Sequence, residues 1–404
     1  MGENAGCGLS QVARIEGGVV IGSRADGGFG DLGIADVTVE GGRFGSVASP
    51  FAGVATGADG ERAAEGEVVD ARGGYVIPGL LDLHFHGAVG EDFSDGSADG
   101  LHAIAAYEAG RGVTTICPAS MTLPEDVLTT AFANAAAFRP EAGEAELVGI
   151  NMEGPYISPD KVGAQNPAYV RPASVEEFDR LQGAANGLVK LVDVAPEQPG
   201  NLDFIAAVHD RVRVSLAHMC ADYDTARAAF AAGARHVTHL YNAMPGLHHR
   251  QPGPIAAAEE FPGVTAEIIA DGVHVRPVMV RLAFEMFGCE RMILISDSLR
   301  ACGLGEGTFT LGGQEFTVHG AEARIANGSL AGSVSDLMAC MTNAVRTMGL
   351  PLADAVRAAS LNPARALGVD GDYGTVAAGK VANAVVLNDD LTVRHVVLRG
   401  RLLR

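Results

Sequence analysis

The 404 residues carry 29 Lys and Arg against 49 Asp and Glu, a formal charge of −20, and 48% are hydrophobic against 19% charged. That balance suits a packed chain long enough for one large α/β barrel or two ordinary domains, and it excludes a disordered polyelectrolyte. The charge also argues against nucleic acid or an anionic membrane as the main partner, although a few arginines and backbone N–H groups can still hold a small phosphorylated ligand.

The six cysteines, Cys7, Cys117, Cys220, Cys289, Cys302 and Cys340, show no C-x-x-C or framework spacing. Reduced, mostly buried thiols in a cytoplasmic protein are therefore expected. There is no basic leader before an apolar stretch and no run of about eighteen apolar residues. Gly6 stands where a myristoylation signal needs Ser or Thr, so no lipid anchor is expected either.

In chain order, the first part offers short β-like stretches at 12–21, 36–39 and 68–76, separated by turns such as Gly41-Gly42 and Gly73-Gly74. From Pro78 the texture changes to apolar strands alternating with Ala-rich helical stretches. Strands are expected at 80–86, 113–117, 147–153, 188–194, 212–218, 236–239, 264–269 and 292–296, and helices at 101–109, 124–137, 174–181, 202–209, 225–232 and 277–287. Eight strands alternating with helices predict a closed parallel (β/α)8 barrel. A Gly-rich excursion at 303–332 follows, then helical stretches at 334–348 and 352–361, then β-like alternation at 385–387 and 393–403. Both ends being β-rich, the expected organisation is a small β-sandwich domain from 1–77 and 376–404 beside a catalytic barrel at 78–375.

Barrels of this kind place functional side chains at the C-terminal ends of their strands. Strand one ends in His84-Phe85-His86, where strand alternation turns both imidazoles to one face. Alone, that pair reads as well as two water-facing or satisfied core histidines. Strand three, however, ends in Glu153, strand five in His218, strand six in His239 and strand eight in Asp297. Five strand ends with ligand-type side chains, in a chain of only 12 histidines, compose the donor set of a divalent metal. His84, His86 and Asp297 could bind one ion and His218 with His239 a second, with Glu153 bridging. Zn, Fe, Mn and Co all suit these donors, zinc being the first choice. Such ions lower the pKa of a bound water, and Asp297 is placed to accept and return a proton.

The segments 78–87, Asn151-Met152-Glu153-Gly154-Pro155-Tyr156, Thr238-His239-Leu240-Tyr241-Asn242-Ala243-Met244, His249-Arg250-Gln251-Pro252-Gly253, Asp271-Gly272-Val273-His274, Ser296-Asp297 and Ser329-Leu330-Ala331-Gly332-Ser333 follow one another in this order. Together they resemble the N-acetylglucosamine-6-phosphate deacetylases of the amidohydrolase superfamily, over almost the whole chain. The resemblance implies metal-dependent hydrolysis of N-acetylglucosamine 6-phosphate to glucosamine 6-phosphate and acetate, in amino-sugar catabolism or cell-wall recycling. It further implies that Asn242, Ala243 and Arg250 hold the sugar phosphate, the first two partly through the backbone and Arg250 across the interface of a homodimer. His274 is implied at the acetyl carbonyl, Asp297 as the acid/base, and Ala164 with the backbone of Leu330, Ala331 and Gly332 as further substrate contacts. A guanidinium fork matches phosphate oxygens, which makes the Arg250 role chemically sensible. Some relatives replace the first histidine and work with one metal at Glu153, His218 and His239.

Several positions depart from the family pattern. Gln165 stands where some members have a histidine, Met219 follows His218 where Thr or Ser is commoner, and Gln251 and Asn383 replace a usual Glu and Asp. Ser298-Leu299-Arg300 puts an extra cation near the expected mouth. His248 reads equally as a phosphate aid or a solvated loop histidine, and His236 as core or surface. His102, His209, His319 and His395 read as structural, and Cys220 as a buried thiol. The glycine loop at 303–308 lacks the third glycine and the following helix of a dinucleotide site. The alternatives are the same reaction on the galactosamine epimer, a cyclic-amide hydrolase with a lysine ending strand three or four, or a non-catalytic scaffold.

Overall fold

The computed structural model describes residues 9–24, 26–49 and 66–404. Cys7 and the parts of the expected small domain at 1–8 and 50–65 lie outside the described residues. The eight barrel strands are β1 (Leu80–Asp82), β2 (Val113–Ile116), β3 (Ile150–Met152), β4 (Val189–Val194), β5 (Arg213–Leu216), β6 (His236–Val237), β7 (Thr265–Ile269) and β8 (Met292–Ile295). From β3 to β8 each strand pairs in parallel with the next, as does β1 with β2. Two short strands, Ala119–Ser120 beyond β2 and Glu146–Leu147 before β3, join those halves. The ring closes between β8 and β1 at the end that carries the site, through Ser296 Oγ to Asp82 Oδ2 (2.5 Å) and Asp297 N to His84 O (2.9 Å).

These strands are covered by helices outside and side-chain layers inside, so they read as nearly continuous apolar runs. Helices Ala98–Gly110, Val175–Ala184 and Tyr223–Ala231 start where Ser97, Ser174 and Asp222 accept an N–H of the first turn. The helix Gly253–Glu259 between β6 and β7, and Leu361–Leu367 near the end, add to the expected set. Each has seven residues, too few for a 3.6-residue period to stand out. Among the described residues no helix is long and apolar enough to cross a membrane.

The Gly-rich excursion folds as a three-stranded antiparallel sheet, Gly307–Leu311, Gln314–His319 and Glu322–Ile325. Leu311, Phe316, Val318 and Ile325 pack with Met121, Leu299 and Ala331, so this sheet sits against the barrel mouth. Gln314 Nε2 to Ala164 O (2.8 Å) and Asn166 Nδ2 to Gly312 O (3.2 Å) tie it to the loop after β3.

The β-rich unit is one eight-stranded sheet built from both ends of the chain, ordered Arg401–Leu402, Val393–Leu398, Ala384–Asn388, Gly74–Pro78, Ser10–Ser23, Phe29–Glu40 and Arg43–Ala48, with Glu67–Asp70 also on Ser10–Ser23. Arg401–Leu402 pairs back onto Ser10 and Gln11, so the sheet curls over its own core of Val12, Ile15, Val37, Val76, Val386 and Val397. The expected stretch at 68–76 is two strands, because Gly73, at φ +73°, turns the chain between them.

Candidate metal centre and substrate cavity

β1 stops at Asp82, so His84 and His86 stand on irregular backbone beyond it, and strand alternation is not what aligns them. Main-chain bonds from His86 N to Ser298 O (2.7 Å) and Asp297 N to His84 O (2.9 Å) sew the segment to the end of β8. Gly87 is needed for a close approach within the chain itself: a Cβ there would lie 2.0 Å from Glu91 O, across the hairpin of Gly87–Ala88 with Glu91–Asp92. His218, His239 and Asp297 have φ of 43°, 28° and 49°. Such left-handed backbone costs a non-glycine residue about 1–3 kcal/mol, and finding three at one place marks strain held at a functional site.

Glu153 lies at the centre. Its Oε1 is 3.0 Å from His218 Nε2, 3.2 Å from His239 Nε2 and 3.5 Å from His84 Nε2, while Oε2 is 3.1 Å from His86 Nε2. Asp297 Oδ1 is 3.4 Å from His86 Nε2 and 3.8 Å from His84 Nε2. The six expected ligands therefore come together as two buried groups, His84, His86 and Asp297, and Glu153, His218 and His239, with the ligand atoms of each within 4.8 Å of one another. Burial alone would raise the Glu153 pKa, but the imidazoles of His84, His218 and His239 hold it well below the usual carboxylate range.

The donors fit a cation. His84 Nδ1 faces Glu267 Oε2 (2.9 Å), His86 Nδ1 faces Ala119 O (3.2 Å) and His218 Nδ1 faces Lys161 O (2.8 Å). With the rings neutral, as cation binding requires, these acceptors claim the ring N–H and each ring turns a bare Nε2 inward. His84 Nε2 is buried with no hydrogen-bond partner among the described residues, and the Nε2 atoms of His218 and His239 are 3.1 Å apart. Bare nitrogens and carboxylate oxygens crowded in this way are the surroundings of one or two divalent ions.

Gln165 is turned inward. Its Nε2 donates to Glu153 Oε2 (2.6 Å) and its Oε1 accepts from Thr122 N (2.6 Å), so this side chain orients the central carboxylate. Below the site Glu267, in the middle of the apolar β7, was not anticipated. An acid inside a run otherwise apolar was the available signal. β4 ends in Asp193-Val194, with no lysine there.

A cavity of about 530 Å³ opens above the two groups. His86, Glu153, His218, His239, Asp297, Ala164, Asn242, Ala243, His274, Leu330, Ala331 and Gly332 all line it. His84 lies beneath this surface, and Arg250 lies outside it on an exposed turn, 2.6 Å from His249 Nε2. Asn242 N–H bonds to His239 O (2.9 Å), and the N–H of Ala243 has no main-chain partner among the described residues. His274 Nδ1 is 2.7 Å from Asp271 Oδ2, while Asp271 Oδ1 accepts from Val273 N and His274 N (2.9 Å each). Burial lowers the proton affinity of His274, but Asp271 overrides it, and the imidazole titrates above its ordinary value.

Among the described residues, Lys161, also not anticipated, is the one Lys or Arg lining the cavity. Arg300, the extra cation expected near the mouth, is largely buried and paired with Asp95 (2.9 Å), with Asp92 at 3.7 Å. Cys220 is exposed, not buried, although Met219 and Ala221 on either side of it are buried. His248 lies against His249 on the exposed turn, ring centroids 4.4 Å apart and tilted by 45°, and His236 is core.

The amidohydrolase family model matches residues 75–403. The chain belongs to the amidohydrolase family. Its relatives include the N-acetylglucosamine-6-phosphate deacetylase of Bacillus subtilis, 36% identical over 81% of this chain and 84% of the relative. The N-acetylgalactosamine-6-phosphate deacetylase of Escherichia coli O157:H7 is 38% identical over 81% of this chain and 87% of the relative. Among solved structures, the N-acetyl-D-glucosamine-6-phosphate deacetylase of Mycobacterium smegmatis, in complex with N-acetyl-D-glucosamine-6-phosphate, matches with TM-score 0.87 and 32% identity over 98% of this chain and 100% of that one. The family is metal-dependent, in keeping with the two ligand groups of this amidohydrolase.

Proposed function

We propose that this amidohydrolase removes the acetyl group from N-acetyl-D-glucosamine 6-phosphate, releasing D-glucosamine 6-phosphate and acetate. The observation that carries the reading is one cavity in which Glu153 stands between two imidazole groups while Asp297, His274 and Ala243 face the same space. Deacetylases of phosphorylated N-acetylhexosamines among its relatives support the substrate class.

His84, His86, Glu153, His218, His239 and Asp297 would hold a divalent cation, which would supply Lewis acidity and make a water easier to deprotonate. Asp297 takes a proton from the attacking water and returns it to the amine nitrogen as the C–N bond breaks. His274, whose proton affinity Asp271 raises, donates in its protonated form from Nε2 to the acetyl oxygen as negative charge grows there. Ala243 N–H and Asn242 meet the phosphate, with Ala164 and the backbone of Leu330, Ala331 and Gly332 along the sugar. Zinc is the first assignment for the cation, since imidazole and carboxylate both suit it.

A homodimer in which Arg250 of the partner subunit completes the phosphate site belongs to the same reading. An apolar patch supports it: Leu247 and Leu282, 45% and 44% exposed, line a shallow groove with Tyr241, Met279 and Met286 beside the Arg250 turn, and Val278 is 50% exposed. The unpaired cysteines, Cys117, Cys220, Cys289, Cys302 and Cys340, support a reducing, cytoplasmic location. The strand positions support a small domain from 1–77 and 376–404 around a barrel at 78–375.

Acetate release from the 6-phosphates of N-acetylglucosamine and N-acetylgalactosamine and from unphosphorylated N-acetylglucosamine tests the reading, with elemental analysis of the protein. The glucosamine phosphate is expected to turn over fastest and chelation to abolish turnover. A faster galactosamine phosphate moves the assignment to that epimer, which the 38% identical relative makes the second reading. No acetate from any of them, with cations bound, refutes deacetylation.

A further inference from the structure

His236 opens β6 and is fully buried inside the barrel. Its Nε2 is 2.9 Å from Glu267 Oε1, and its Nδ1 is 2.5 Å from Thr265 Oγ1. Glu267, equally buried on β7, reaches His84 Nδ1 with Oε2 (2.9 Å), and the same oxygen accepts the main-chain N–H of His239 (3.2 Å). One carboxylate thus gathers three donors and touches both ligand groups, the ring of one and the backbone of the other. We propose that Glu267, braced by His236, is a positioning residue that fixes His84 as a cation ligand and couples the two ligand groups. This rests on reading those groups as cation sites.

A carboxylate only accepts, so His84 presents Nδ1–H to it and His236 presents Nε2–H. The tautomer of His84 then has a bare Nε2, the atom that faces Glu153 Oε1 at 3.5 Å and Asp297 Oδ1 at 3.8 Å. Thr265, as donor to His236 Nδ1, sets the tautomer of the bracing ring in turn. A hydrogen bond to an anion makes an imidazole a stronger ligand than one to a peptide carbonyl. Carbonyls are what His86 and His218 have, on Ala119 O and Lys161 O. His239 Nδ1 has no partner among the described residues, so its placement depends on its backbone, which Glu267 holds. The side chains that hydrogen-bond Glu267 are His84 and His236, and no Lys or Arg meets it among the described residues. An anion buried without a permanent cation is balanced by charge brought to the site it serves.

The test is a cobalt(II) titration of the metal-free full-length protein against a competing chelator, read by visible absorption, for wild type, Glu267→Gln and His236→Gln. Metal-free thermal melts run beside it. Glu267→Gln, which keeps the volume and loses the charge, should bind cobalt roughly 10- to 100-fold more weakly, with an altered spectrum and no loss of metal-free stability. His236→Gln should weaken binding less, since Glu267 keeps its charge but loses one brace. Glu267→Gln with wild-type affinity and spectrum overturns the proposal. If that variant does not fold, unchanged affinity in His236→Gln does so instead. Wild-type protein that binds no cobalt overturns the cation sites and the coupling with them. No substrate enters the titration, so a protein that deacetylates nothing can still pass it.

Discussion

Glu108 lies in the helix Ala98–Gly110 with its side chain fully buried, and neither carboxylate oxygen has a hydrogen-bond partner among the described residues. Leu101, Ile104, Ala105 and Ala109 of the same helix are in the main core. Burial, then the charges of Asp82 and Asp336, hold its pKa well above the ordinary value, and Arg111 offsets only part of this. The folded protein therefore keeps this proton where the unfolded chain, with a pKa of about 4.3, has released it. The unfolded state binds fewer protons, so this group's contribution to stability falls as pH rises, by up to about 1.4 kcal/mol per pH unit, until the folded pKa is passed. An unsatisfied buried polar group costs about 1–3 kcal/mol, and Glu108→Met removes it at similar volume. The variant should be more stable than the parent by at least that amount near neutral pH, since removing the proton linkage adds to it, with a melting point raised by several degrees. The advantage should shrink toward the acid end of the series. Calorimetric melts of both proteins in the same metal state, at several values between about pH 5 and pH 8, measure it. A variant less stable than the parent, or a gain independent of pH, refutes the reasoning.

Asp297→Asn should lose roughly 10²- to 10⁴-fold in turnover while still binding metal by elemental analysis, and near-normal turnover would remove Asp297 from the acid/base role. Arg250→Ala should lose a charge-assisted hydrogen bond of about 1.5–3 kcal/mol. Its preference for phosphorylated over unphosphorylated sugar should then drop roughly 10- to 100-fold, and an unaltered preference speaks against the phosphate role. Neutral His274 with its N–H on Asp271 has only an acceptor at Nε2, so activity should decline as pH rises through its raised pKa. Asp271→Asn should move that alkaline limb to lower pH, and a limb that stays in place would show that His274 does not set it.

Barrel strands were legible because layers on both sides force them to be apolar throughout, and the candidate ligand residues because they interrupt those runs at the C-terminal ends. Glu153, His218, His239 and Asp297 stood out by type and place alone. The His84 and His86 pair was legible in outcome but not in cause: the chain leaves β1 at Asp82, and bonds to the end of β8 align the two rings. Short elements escaped for lack of period, including the helix Gly253–Glu259.

By itself, the sequence determined the barrel, the β-rich unit from both ends and the identity of six ligand-type residues, since composition and periodicity are local. Only the tertiary structure decided which neighbour each side chain answers to. It gave Gln165 to Glu153, withdrew Arg300 into its pair with Asp95, and put Glu267 against His84 across 183 residues of chain. Hydrogen-bond partners of buried polar groups are chosen by barrel closure, which brings together segments far apart in the chain, and no local pattern records that choice.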